Sequence, residues 1–181
     1  MMNTDRAIAS ALSAGDERAF TALYHRYKGQ MYRFCLRMTS DADAAGDIVQ
    51  GVFIKVFERH AQLQHAERLR AWLYTIARND CLTHIRTAGK QIPLGERAEY
   101  GPGDGEVYDR AEDRTIITEA IGRLIPEQRE VILLREYEGM SYTEIAEVLG
   151  IAPGLVKSRI FSARRKLFEL LKPMFSERVR K

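Results

Sequence analysis

From Lys157 to Lys166 the chain carries five cationic side chains, Lys157, Arg159, Arg164, Arg165 and Lys166, and no acidic one. Lysine and arginine at that density attract phosphates whatever the base sequence. Ser158, Ser162 and Arg165 add groups of the kind that reach base edges, and Phe161 adds a ring suited to a thymine methyl. The chemistry indicated is recognition of duplex DNA rather than bond making. Cys81 and His84 stand three apart on a helical face, which could begin a metal site, but two ligands do not complete one. Glycine-rich phosphate loops, metal clusters and nucleophile–base spacings do not occur. The expectation is therefore a protein that is no enzyme and uses neither cofactor nor metal.

Elements must hold those residues in place. Ser141 and Glu144 in S-Y-T-E form a capping box, with Met140 and Ile145 placed as a hydrophobic staple. Gly150 ends that helix after two turns and Pro153 opens a longer one. Along it Val156, Ile160, Ala163, Leu167 and Leu170 step by four, three, four and three, forming one buried stripe. At about 100° per residue the opposite face holds Ser158, Phe161, Ser162 and Arg165. Lys157, Arg164 and Lys166 flank that face, and Arg159 lies nearer the core. A short helix, a tight turn and a longer helix describe a helix-turn-helix. The first helix carries Glu144 and Glu147 and the second only cations, so the second is the one facing phosphates. Upstream, "TIITEAIGRL" forms a helix and Pro126 starts another, with Glu127 at its positive end. Gly139 ends it in the left-handed conformation.

The N-terminal part shows three amphipathic patterns, Glu17 to Met38, Ala44 to His60 and Leu69 to about Thr87, with Asp41 and Asp43 breaking the first from the second. A short helix over residues 4–13 packs beside them in a small bundle. Strand signals are poor. Between the halves, "GKQIPLGERAEYGPGDGEVYDRAED" lacks apolar periodicity, and residues 91–115 hold 3 basic and 7 acidic side chains. Such a segment buries too little surface to offset the entropy of ordering it. The expected fold class is all-α: two small helical domains, residues 1–89 and 114–181, joined by a flexible acidic linker over 90–113, the C-terminal domain containing the helix-turn-helix. The chain's 181 residues and 45% apolar content suit that plan. Apolar runs stay short of the roughly 18 residues that span a bilayer, and Met1 to Ala14 has no signal-peptide core, so a cytoplasmic protein is expected. Cys35 and Cys81 fall in apolar patterns and read as buried free thiols.

Three stretches together resemble one family. "LIPEQREVILLREYEGMSYTEIAEVLGIAPGLVKSRIFSARRKL" resembles the C-terminal domain of bacterial extracytoplasmic-function (ECF) sigma factors. "DIVQGVFIKVFERH" is similar to that family's polymerase-binding helix, and "LRAWLYTIARNDCLTHIR" to its promoter-melting helix. Order and linker match too, from about Asp16 to Leu171. The resemblance implies a dissociable subunit of RNA polymerase core. Its first domain (sigma region 2) would bind the polymerase clamp and open the minus-ten element of promoter DNA; its second (sigma region 4) would bind the minus-thirty-five element. Asp47, Gln50, Phe53, Lys55 and Val56 then fall in the clamp-binding helix. Leu63, Gln64, His65, Arg68 and Arg70 fall in the loop that captures an unstacked promoter base, with Tyr74 and Asn79 beyond it. Lys157, Ser158, Arg159, Phe161, Ser162 and Arg165 fall on the minus-thirty-five reader. The resemblance also implies an anti-sigma factor as partner, and no insertion into a membrane.

The chain departs from the family at several positions. Gly51 stands where glutamate is usual, removing a charge and costing up to about 1 kcal/mol of helix propensity. Ala152-Pro153 replaces a common Pro-Val, Leu155 a common threonine, and Ser162 a frequent basic residue. Read without the family, Trp72 is a core residue, Tyr74 stacks on a base only if its ring is exposed, Asp47 favours the N-terminal half of its helix, and Asn79 makes local hydrogen bonds. Two other functions compete with the leading one. A stand-alone helix-turn-helix regulator leaves Ile48 to Phe57 unexplained, and a decoy that sequesters a regulator has no need of a basic recognition helix.

Overall fold

A computed structural model describes residues 4–63, 65–88 and 108–178 of the chain. Among the described residues every element is helical, and they divide into two compact units.

The first unit contains α1 (Asp5–Ser13), α2 (Glu17–Thr39), α3 (Ala42–Arg59) and α4 (Leu69–Ala88), with two 3-10 turns, His60–Gln62 and Ala66–Arg68, between α3 and α4. Each of the first three helices starts on a side-chain cap: Thr4 Oγ1 accepts from Ala7 N at 3.3 Å, Asp16 Oδ1 from Arg18 N at 2.9 Å, and Asp41 Oδ1 from Ala44 N at 3.0 Å. Such caps satisfy amides that have no partner within the helix. Asp41 therefore starts α3, and Asp43 sits inside its first turn rather than breaking the chain ahead of Ala44. The α2–α3 corner turns at Ser40, a non-glycine residue at φ 58°. Helix α2 packs on α3 and α4, and α3 on α4. Their shared core includes Leu23, Met31, Phe34, Val52, Leu73 and Ala77. Cys35 and Cys81 are both buried free thiols there, as expected.

The second unit contains α5 (Tyr108–Gly122), α6 (Pro126–Ile132), α7 (Tyr142–Leu149) as far as Ala146, and α8 (Pro153–Arg178), while Glu147–Gly150 group with the first unit. Pro126 occupies the first turn of α6. That helix then widens into one π-helical turn, Leu133–Tyr137, which the periodicity did not announce. Gly139 follows at φ +64°. The capping box closes reciprocally, Ser141 N donating to Glu144 Oε2 at 2.8 Å and Glu144 N to Ser141 Oγ at 3.2 Å. Met140 and Ile145 are both buried, as a staple requires. Gly150, also at φ +64°, ends α7, and Ile151 N donates to Ala146 O at 3.1 Å across the turn. In α8 Val156, Ile160 and Ala163 are buried, while Leu167 and Leu170 are half-buried. They meet a core of Ile121, Leu124, Val131, Ile132 and Leu134. At about 1.5–3 kcal/mol for each fully buried large aliphatic side chain, this stripe outweighs any surface pairing in fixing the rotation of α8.

The linker expectation needs one correction. From Tyr108 its end is already helix α5, because "YDRAEDR" after Gly105 contains good helix formers and no breaker. The remainder, residues 90–107, lies outside the described residues. Among those described, no helix is long and apolar enough to cross a membrane.

Candidate functional site

Three surfaces take shape from these elements. The first is the outer face of α8. Lys157, Ser158, Phe161, Ser162 and Arg165 are exposed, with Phe161 70% accessible. Ser158 Oγ donates to Leu155 O at 3.1 Å, and Ser162 Oγ accepts from Gln128 Nε2 at 3.5 Å. The cations differ in their surroundings. Arg165 Nε and Lys166 Nζ lie 3.9 and 3.4 Å from Glu169, all three side chains at least half out in solvent. Arg164 is held by Glu136 through two hydrogen bonds, the Nε one at 3.0 Å. Arg159 corrects the sequence reading: its Nη1 lies 3.6 Å from Glu130 Oε1, and Glu130 is fully buried. Burying a carboxylate is costly unless a cation stays beside it, so half-buried Arg159 compensates Glu130 at the edge of the reading face.

The second surface lies on α3 and α2. Of the expected docking residues, Asp47 and Gln50 are exposed. Phe53 and Val56 are in the core instead. Lys55 donates to both carboxylate oxygens of Asp80 at 2.6 and 2.7 Å, tying α3 to α4. Lys55 and Val56 hold the helix in place, while Phe53, though largely covered, also lines a groove on the outer face. Outward instead are Ile54 and Phe57, 50% and 56% exposed. With Phe20, Tyr24, Val49 and Gln50 they line a groove of about 650 Å³. Phe57 meets Phe20 edge-on at 5.3 Å and Tyr24 meets Phe53 at 4.9 Å. Phe20 and Tyr24 belong to the apolar pattern of Glu17 to Met38, and Ile54 to that of Ala44 to His60. The available signal was an excess of apolar residues: Ile48 to Phe57 holds more than one helical face can bury. An exposed aromatic groove of this kind is a candidate binding surface. A Cβ at Gly51 would meet nothing within 4 Å, so space does not require glycine there.

The third surface is the stretch between α3 and α4. Leu63 is buried, and His65 is exposed with Nδ1 3.5 Å from Glu67 Oε1. Arg68 is exposed and Arg70 half-buried; Gln64 lies outside the described residues. Tyr74 is a second correction. Its ring is fully buried and meets Phe34 edge-on at 5.2 Å, so no face remains for a base to stack on. Trp72 is half-buried. Asn79 is exposed, and its Oδ1 accepts from Arg78 Nη1 at 3.2 Å. Leu63 and Tyr74 thus support this surface, while His65, Arg68 and Asn79 face outward. Among the described residues no cluster of side chains could hold a metal ion.

Comparison with known proteins agrees with this division. Residues 23–91 match the family described as Sigma-70 region 2, and residues 114–167 match Sigma-70 region 4. The RNA polymerase sigma-H factor of Pseudomonas aeruginosa is 31% identical, over 96% of each chain. The ECF RNA polymerase sigma factor SigL of Mycobacterium tuberculosis is 34% identical, over 89% of this chain and 93% of its own. Among solved structures, the sigma factor RpoE of Bartonella quintana, in complex with the anti-sigma factor NepR, superposes with a TM-score of 0.73 at 29% identity, over 84% of this chain and 96% of that one.

Proposed function

We propose, for a chain that belongs to the extracytoplasmic-function family of RNA polymerase sigma factors, which side chains carry the work. The protein is a sigma factor, a transcription-initiation subunit and not an enzyme. It acts with RNA polymerase core on promoter DNA. The unit ending in α8 is its minus-thirty-five domain and the α1–α4 unit its minus-ten and core-binding domain. Helix α8 enters the major groove. Lys157, Arg165 and Lys166 meet phosphates, Ser158 and Ser162 meet base edges, and Phe161 packs on a thymine methyl. Contacts between Glu169 and its two cations are solvent-exposed pairs worth little, so phosphate replaces the carboxylate at small cost.

The α2–α3 groove takes the polymerase. Ile54 and Phe57 supply apolar contact there, and Asp47 and Gln50 the polar rim. His65, Arg68 and Asn79 then receive a base drawn from the minus-ten duplex. Unstacking costs a few kcal/mol, which contacts to the extruded base must return. An anti-sigma factor is a further partner, by analogy with the RpoE relative, and the site of action is the cytoplasm.

The observation that carries this reading is the pairing, in one chain, of an outward cationic and aromatic face on α8 with an aromatic groove on α3. A stand-alone regulator would use the first and leave the second idle. Run-off transcription with purified core and promoter libraries, randomised separately at each element, provides the test. Selection at both elements is expected. Promoter binding by the chain alone, with no change on adding core, would refute it.

A further inference from the structure

We propose that α1 is a strut for promoter opening, anchored by Asp5, that fixes the base-reading stretch between α3 and α4. The proposal rests on the minus-ten reading of that stretch. Helix α1 precedes the segment matched as region 2, which starts at residue 23. It nevertheless packs on both 3-10 turns, His60–Gln62 and Ala66–Arg68, as well as on α2 and α4. The two shoulders of the reading stretch therefore rest on one helix. The face of α1 that meets its neighbours is apolar and closed, with Ile8, Ala9 and Leu12 all buried. Between the turns Leu63 is buried, and Leu69 is buried just after them.

A polar anchor on Asp5 ties α1 to α2. Asp5 Oδ1 forms an ion pair with Arg26 Nε at 2.8 Å, and its Oδ2 accepts from the Tyr27 hydroxyl at 2.8 Å, both partners on α2. Burial, reinforced by the Asp5 carboxylate, holds the Tyr27 hydroxyl well above its usual pKa, so it remains a donor at neutral pH. Short 3-10 turns have poorer hydrogen-bond geometry than a helix and depend on tertiary backing. A recognition group must also be held rigidly by its supporting shell if a base is to be captured. Arg26 and Tyr27 sit on α2, so the strut ties the reading stretch to the body of the unit.

The test uses holoenzyme assembled from core and the full chain. Permanganate reactivity of minus-ten thymines reports opening, and promoter libraries report preference. Asp5→Ala is expected to lower opening, by up to about a hundredfold for a misplacement of roughly 1 Å, and to broaden minus-ten preference. Core affinity and minus-thirty-five preference should stay as they were, and Asp5→Glu should restore part of the opening. Met38→Ala, a core truncation near the other end of α2, should lower thermal stability without broadening the preference. If it broadens the preference as Asp5→Ala does, general loosening explains the effect and the strut is wrong. His65→Ala with Arg68→Ala separates the two layers of argument. Altered minus-ten preference in that double variant, beside an unaltered one in Asp5→Ala, overturns the strut alone. No change in the double variant overturns the reading of the stretch, and the strut with it.

Discussion

Arg159 and Arg165 stand six positions apart on α8 and do different work. Arg165 is mostly in solvent, whereas Arg159 neutralises a carboxylate that water does not reach. Lys157→Ala and Arg165→Ala should each lower the salt slope of promoter binding by about 0.9 if a phosphate contact is lost, with helicity unchanged. Arg159→Ala should instead lower stability in urea, because the buried Glu130 carboxylate loses the guanidinium beside it. The thiols behave differently again. The Cys35 thiol is pushed far above its ordinary value, first by a hydrogen bond with the Cys81 thiol and then by burial. It is protonated in the folded state, so native protein should resist alkylation at Cys35 and react after unfolding. With the folded pKa raised, the unfolded chain binds fewer protons once pH exceeds about 8.5, the free-thiol value. Stability is then full below that pH and falls as pH rises above it, which urea midpoints across the alkaline range would show.

At the scale of elements, α3 carries two roles on two faces. Ile54→Ala with Phe57→Ala should weaken association with polymerase core while keeping the thermal midpoint near that of the parent, since both side chains are exposed. Unreduced association in a pull-down would clear the groove of this role. Lys55→Glu should behave in the opposite way. It sets a second carboxylate against Asp80 and separates α3 from α4, so thermal stability should drop. Gly51 lies on the same helix with open space around its missing Cβ. Gly51→Ala should therefore stabilise the protein by about 0.5–1 kcal/mol, read from chemical denaturation.

At the scale of the whole molecule, the described residues divide into two compact units. The boundary matters. A fragment starting at Tyr108 keeps all of α5, while one starting at Arg114 cuts into it. The longer fragment should melt at the higher temperature and show the greater helicity by circular dichroism, and both should bind minus-thirty-five DNA. Equal melting of the two would mean that the first turns of α5 add nothing to the fold. Tethering the units raises the effective concentration of the second once the first is docked. The full chain in holoenzyme should thus select minus-thirty-five sequences that the isolated fragment binds only weakly.

Local signals were fully legible in the residues. Pro126, Gly139, Gly150 and the Ser141–Glu144 box act within a turn of themselves, and the α8 stripe needs only the helical repeat to place Phe161 and Arg165 outward. All-helical architecture and the helix-turn-helix followed from them. Tertiary structure alone decided which apolar residues are covered. Tyr74 looked available and is buried against Phe34, while Phe20 and Tyr24 looked buried and line a groove. Periodicity assigns an angle to each residue, but how much of a face is covered depends on how many helices cross it and where. Ion pairs between elements were equally hidden. Lys55 and Asp80 are 25 residues apart, and Arg159 meets Glu130 across two helices. No local pattern encodes such a distance, because the approach of those groups is set by the packing of the helices that carry them.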